Sequence, residues 1–249
     1  MARKQLHVAL ISCTPDPEKT IARAAKTCYS ASTVDELSEK IDQADQTRFI
    51  QMLLRVGHLS TIEHVSFTFA VEGVSRALLA QITRHRIASF SVQSQRYVSQ
   101  VHEPGQVFDY ILPPAIEALG PQAAAEFDQQ MRTMQAWYNT WQERLSKDGG
   151  EKANEDARFV LPNAAETRFL VTMNARELMH FFALRCCGRA QWEIRELAWE
   201  MLRLVRETAP VLFARSGPPC LYGACPEGKK SCGRQQEMKE RSEHLNDAV

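Results

Sequence analysis

The chain has 249 residues, 44% of them hydrophobic, enough to bury a well-packed core in one large domain or two small ones, with a single globular unit as the default expectation. Thirty Lys and Arg balance thirty Asp and Glu, so a formal net charge of zero excludes a global attraction to nucleic acid or to a membrane surface, and any anion must be held locally. No apolar run approaches the roughly 20 residues that span a bilayer, and Met1-Ala2-Arg3-Lys4-Gln5 leads into no signal-peptide pattern. The seven cysteines are odd in number and scattered, which suits reduced thiols in the cytoplasm better than a disulfide framework.

Leu6 to Ser12 is apolar and β-prone, and Thr14-Pro15-Asp16-Pro17 turns from that strand into a helix. Thr47 to Val56 carries Phe49, Ile50, Leu53, Leu54 and Val56 at helical spacing and stops at Gly57. Val65 to Val71 alternates large and small residues with period two, the clearest strand in the chain, and Glu72-Gly73 is expected to break it. Ser75 then caps a helix with Leu78, Leu79 and Ile82 on one face and Gln81, Arg84 and His85 on another. From Pro121, the series Phe127, Met131, Met134, Tyr138, Trp141 and Leu145 predicts a long amphipathic helix ended by Gly149-Gly150, its stripe serving core or subunit packing. A further helix runs through Ala157-Arg158 to a stop near Pro162, and Arg168 to Met173 reads as a strand. The polar stretch after Arg215, with Gly217-Pro218-Pro219, is expected to be a loosely ordered tail.

Arg84 to Tyr97 packs three arginines, a histidine and several hydroxyls into one turn-to-strand region. Guanidinium forks match phosphate oxygens, so this segment is either a site for a phosphorylated ligand or a solvated basic loop. An extended backbone here would point Ser94 and Arg96 to the same side, where both grip one phosphate. Asn174-Ala175-Arg176-Glu177 resembles an Asn-led capping box, and on the helix it opens Leu178, Phe181 and Arg185 share a narrow face. A guanidinium in an apolar stripe needs an anionic or strongly polar partner; Arg185 is a ligand-site residue, a structural ion pair or a snorkelling helix end. Arg176 and His180 form a separate polar face.

Neither His58, Glu63 and His64 nor Cys220-x4-Cys225-x6-Cys232 reproduces a full zinc signature, so no metal is assigned; Cys186-Cys187 reads as packing. No Rossmann glycine fingerprint, P-loop or nucleophile elbow is present.

Arg84-His85-Arg86-x7-Ser94 resembles the R-H-R-x7-S motif of the flavin-dependent thymidylate synthases. Three further blocks keep that family's order: His58 to Phe69, Ala157 to Pro162, and Thr172 to Ile194, so the resemblance covers about residues 6 to 213. It implies an α+β subunit, with a twisted, largely antiparallel sheet flanked by helices, long amphipathic ones among them, and not a Rossmann fold. It also implies a synthase domain over residues 1–215, followed by a cysteine-containing polar tail over 216–249. The implied reaction is reductive methylation of dUMP to dTMP, with 5,10-methylenetetrahydrofolate as carbon donor and NADPH as reductant through FAD. The implied assembly is a cytoplasmic homotetramer with shared active sites, binding neither nucleic acid nor membrane.

By the same resemblance, Gln81, Ile82, Thr83, Arg84, Ser94, Gln95, Arg96, Arg158 and Arg185 match dUMP-binding positions. Ser60, Arg84, His85, Arg86, Asn174, Ala175, Arg176 and His180 match FAD-binding positions. Arg185 is the implied catalytic residue: it engages the uracil edge and favours ionisation at N3, which enriches C5 as the carbon nucleophile. Ser94, with no adjacent base, is assigned to phosphate binding and not to nucleophilic attack. Two departures limit the transfer, Val92 where some members carry Glu and Arg189 where others carry His.

Overall fold

The computed structural model describes residues 2–103, 105–146 and 150–247. Its strands are β1 (His7–Cys13), β2 (Ser66–Ser75), β3 (Ala88–Val92) and β4 (Glu166–Asn174), which form an antiparallel sheet in the order β1-β2-β4-β3. In chain order the helices are α1 (Pro17–Thr27), α2 (Val34–Asp42), α3 (Thr47–Val56), α4 (Arg76–Ile82), α5 (Pro114–Glu117) and α6 (Pro121–Leu145). They continue with α7 (Gly150–Ala157), α8 (Ala175–Arg185), α9 (Trp192–Thr208), α10 (Pro210–Phe213) and α11 (Gln235–Glu243). The architecture is α+β with helices flanking the sheet, as expected.

Two compact units make up the chain, one from the described residues of 2–7, 71–84 and 90–170, the other from 8–70, 85–89 and 171–247. In the first, α6 presents Met131 and Tyr138 to the interior; Met131 packs with Phe108, Tyr110 and Ala165, and Phe127 and Met134 lie at the edge of that cluster. The helix ends at Leu145, earlier than the expected Gly149-Gly150 stop; Gly149 lies outside the described residues, and Gly150 opens α7. Tyr138 Oη accepts the Gln100 amide N–H at 3.1 Å and donates to Asn154 at 3.2 Å, while Asn154 donates to the Arg96 carbonyl at 3.1 Å. Through this chain of bonds α6 and α7 hold the loop that follows β3.

The expected break at Glu72-Gly73 does not occur: β2 continues to Ser75. Gly73 adopts φ 69° within the strand, and a Cβ there would lie 1.8 Å from the Gln5 carbonyl oxygen. Glycine thus bends the strand where another backbone passes, rather than ending it.

In the second unit Ile50, Leu53, Phe67, Phe69, Phe182 and Phe213 are buried, with Phe213 edge-on to Phe67 at 5.4 Å and to Phe182 at 6.1 Å. Each such side chain contributes roughly 1.5–3 kcal/mol by leaving water. Helix α2 escapes the sequence reading although Thr33 and Glu36 form a complete capping box at its start. The segment after Arg215 is more ordered than expected: Met238 of α11 is buried, Arg241 donates to Glu196 at 3.0 Å, and Arg206 donates to the Ser242 carbonyl at 2.9 Å.

Candidate active site

Helix α8 begins where the Asn174 side chain accepts the Glu177 amide N–H at 2.9 Å. That is half of the expected capping box. The Glu177 carboxylate does not turn back to the cap; it accepts from His85 Nδ1 at 2.9 Å, with both side chains buried. Arg185, two turns further along α8, donates from Nε to His85 Nε2 at 3.2 Å. A guanidinium can only donate, so Nε2 must be the acceptor nitrogen of a neutral ring, and the proton sits on Nδ1 facing Glu177. Burial holds the His85 pKa below its ordinary value against the Glu177 hydrogen bond that raises it, and the Arg185 charge lowers it further. Phe181 packs edge-on against the His85 ring at 5.0 Å, and His180 lies 6.0 Å from it. The polar partner that a guanidinium in the Leu178, Phe181, Arg185 stripe requires includes this imidazole.

Around this buried relay the same unit carries exposed groups. Ser60, Arg86, Arg176 and His180 all face solvent, and Arg176 forms an exposed ion pair with Glu63. Ala175 is buried and its amide donates to the Val65 carbonyl at 2.8 Å. Two amides of the first turn of α8, those of Ala175 and Glu177, are therefore already satisfied by the protein. The exposed side chains at this end of α8 are those of Arg176 and His180.

In the other unit the segment after β3 is a turn and not an extended strand. Ser94 Oγ accepts the Arg96 amide N–H at 3.2 Å and the Ser94 carbonyl accepts from Val98 at 3.0 Å, so the two side chains are related by a turn rather than by strand alternation. The Arg96 guanidinium donates from Nη2 to Glu151 at 3.0 Å. Its Nε lies 3.2 Å from a Glu155 oxygen yet makes no aligned hydrogen bond, and that nitrogen is buried. Both carboxylates are partly solvent-exposed, so these bridges are weak and exchangeable. Arg158 donates to the Glu155 carbonyl at 3.0 Å from the neighbouring turn.

A residue missed by the sequence reading belongs here. Burial, and the nearby Arg158 charge, lower the pKa of Arg76. It makes no salt bridge among the described residues. One signal was available: Arg76 stands in the first turn of α4, where the helix dipole disfavours a cation. Gln81 and Arg84 are accessible at the other end of that helix, whereas the Ile82 side chain is fully buried and the Thr83 hydroxyl donates to the Leu79 carbonyl at 2.9 Å. Gln95 and Val92 are partly buried, Val92 at the last position of β3.

A family model described as thymidylate synthase complementing protein matches residues 9–211. A flavin-dependent thymidylate synthase of Geobacter sulfurreducens is 50% identical over 94% of this chain and 97% of its own length. Another, of Nitratidesulfovibrio vulgaris, is 51% identical over the same shares. One of Pyrococcus furiosus is 38% identical over 89% of this chain and 90% of its own. A non-Rossmann α+β fold that carries the buried Arg-His-Glu relay and the arginine-rich turn is thus the frame of a flavin-dependent enzyme acting on small molecules. The chain belongs to the flavin-dependent thymidylate synthase family.

Proposed function

We propose that the protein methylates dUMP at C5 to give dTMP, taking the carbon from 5,10-methylenetetrahydrofolate and the reducing equivalents from NADPH through FAD. The balance is dUMP, methylenetetrahydrofolate, NADPH and a proton in, and dTMP, tetrahydrofolate and NADP+ out. The observation that carries the reading is the relay in which Glu177 fixes the His85 tautomer and His85 fixes the Arg185 guanidinium, with hydrogen bonds of 2.9 and 3.2 Å.

The geometry supports the following roles. Held at its Nε, Arg185 offers its charge to the uracil edge, where negative charge spreads over the ring carbonyls as C5 attacks the one-carbon electrophile. Neutral His85 orients that charge without adding a second one. Arg96, with a buried Nε that lacks an aligned acceptor, and Ser94 in the same turn bind the dUMP phosphate, which displaces the exposed Glu151 and Glu155 bridges. Arg158 supports them, Arg76 joins the same phosphate-binding group, and Gln81, Thr83, Gln95 and Arg84 complete the nucleotide contacts. Ile82 contributes through its backbone alone, since its side chain is buried.

The residues present suit FAD. The exposed Ser60, Arg86, Arg176 and His180 provide donors and cations for an anionic dinucleotide, and the Glu63 bridge to Arg176 is exchangeable. Arg84 joins them from the motif, and Asn174 and Ala175 shape the start of α8 that bears Arg176. FAD, when bound, supplies hydride chemistry that no side chain can. The protein's part is to orient the uracil and exclude water from it.

A homotetramer with shared sites is supported by the large apolar groups left exposed, Trp137 and Trp141 four apart on α6 and Phe159 after α7. No helix among the described residues is long and apolar enough to cross a membrane; all seven cysteines are free, in keeping with the cytoplasmic setting we assign. The synthase domain is assigned to residues 1–215, with 216–249 as its C-terminal extension. Anaerobic titration tests the nucleotide reading: dUMP must accelerate oxidation of the enzyme-bound reduced flavin by methylenetetrahydrofolate, and a flavin indifferent to dUMP would make the protein a different flavin oxidoreductase.

A further inference from the structure

The four cysteines near the end of α8 are not used by the reaction, and the fold brings them to one place. Cys220-x4-Cys225-x6-Cys232 supplies three thiols in sequence, one short of a tetrahedral set. The fourth, Cys187, lies two residues beyond α8. Cys187, Cys220 and Cys225 line one cavity of about 290 Å³, together with Arg189, Pro226 and Glu227. Cys232 approaches from the side: its sulfur lies 3.2 Å from the point a Cβ on Gly188 would occupy, next in sequence to Cys187.

The surrounding backbone is built to hold this loop. Gln235, at the start of α11, donates to the carbonyls of Cys220 at 2.6 Å and Gly223 at 3.1 Å. Arg234 donates to the Gly188 carbonyl and Arg189 to the Lys230 carbonyl, so the segments bearing Cys187 and Cys232 are tied together. Gly228 and Gly233 take positive φ, 51° and 73°, in the tight turns on either side of Cys232.

We propose that Cys187, Cys220, Cys225 and Cys232 form a tetrathiolate site for one structural zinc ion. Among the described residues no group of three or more His, Cys, Asp or Glu side chains is already arranged to hold a metal ion, so the sulfurs draw together on binding. The four thiols release four protons to solvent, and the resulting charge of minus two lies beside Arg189 and Arg234, which also pair with Glu227 at 3.9 Å and Glu237 at 3.7 Å. Zinc fits better than an oxygen-seeking cation because all four donors are sulfur, and the x4 spacing lies within the range of structural zinc sites. Bound there, the ion fastens the 220–232 loop to the C-terminal end of α8.

The test is elemental analysis of the full-length protein purified without chelator, with a Cys225→Ser and Cys232→Ser double variant beside it. The expected result is about one zinc per chain, released on titration with a mercurial, and a drop of at least tenfold in zinc content in the double variant. The same variant of the expressed protein, if it stays folded by circular dichroism, isolates ligand loss from misfolding; should it not fold, mercurial-triggered zinc release from the unaltered protein carries the result. A protein holding iron and sulfide in place of zinc, a Cys–Cys disulfide by mass spectrometry, or no metal with these thiols titrating freely would each overturn the proposal.

Discussion

Arg185 donates from Nε to His85 Nε2 across 3.2 Å, and that single bond decides the state of the histidine: neutral, with its proton on Nδ1 and held by Glu177 at 2.9 Å. A charged imidazole would face the guanidinium with a second N–H donor and break the relay. The arginine is thereby aimed by a group that itself carries no charge.

Replacing Arg185 by Ala is expected to lower kcat by on the order of 10²–10³ while FAD occupancy falls little, because what is lost is a charge directed at the developing oxyanion. Steady-state rates set against the flavin absorbance of the purified variant check this. Equal loss of both would make Arg185 structural.

The lowered His85 pKa has a definite sign. The unfolded chain binds a proton at the ordinary histidine pKa of about 6.5. The folded chain resists it to lower pH, so stability attributable to this group is present above that value and is lost as pH falls through it toward the folded pKa. His85→Asn keeps a donor toward Glu177 but cannot titrate. Its melting temperature is expected to vary less than that of the unaltered protein between neutral pH and mildly acidic pH. Parallel curves for the two proteins would contradict the assignment of a neutral buried ring.

Arg96→Ala is expected to weaken dUMP binding by about 10–100-fold, in line with about 1.5–3 kcal/mol for a charge-assisted hydrogen bond. Isothermal titration measures it, with FAD occupancy unchanged as the internal reference. Unaltered dUMP affinity would remove Arg96 from the phosphate site and leave its contacts to Glu151 and Glu155 as surface pairs.

How much of this was legible in the sequence depends on how local each interaction is. Gly57 ends α3 and the Ser75 side chain caps α4, accepting from Leu78 at 3.1 Å, because a helix terminus is decided by residues a turn away. The Glu177 carboxylate was misassigned to a capping box for the same reason: sequence shows the cap three residues back, not His85 on another segment. Alternation suggested that Ser94 and Arg96 share a strand face, but the serine hydroxyl bonds the Arg96 amide and makes a turn. In α2 the capping box was visible, while Leu37 and Ile41 are its only buried residues, too few to announce a helical stripe. Cys187 could not be joined to the three later cysteines from spacing, since their meeting is a property of the fold.

Gly73→Ala is expected to destabilise the protein by more than about 3 kcal/mol, since alanine both resists φ 69° and places its Cβ 1.8 Å from the Gln5 carbonyl oxygen. Thermal or urea unfolding measures it. A loss within about 1 kcal/mol, or a gain of the size that glycine-to-alanine changes give at a compatible site, would show that the Gln5 backbone yields.

The most direct measurement is the mass of the product formed by the FAD-loaded protein from dUMP and 5,10-methylenetetrahydrofolate, with deuterated NADPH in deuterated water. The expected product is dTMP whose new methyl group carries a single deuterium, two of its hydrogens having come with the folate carbon. A protein that retains its FAD and oxidises NADPH yet yields no dTMP would contradict the assigned reaction.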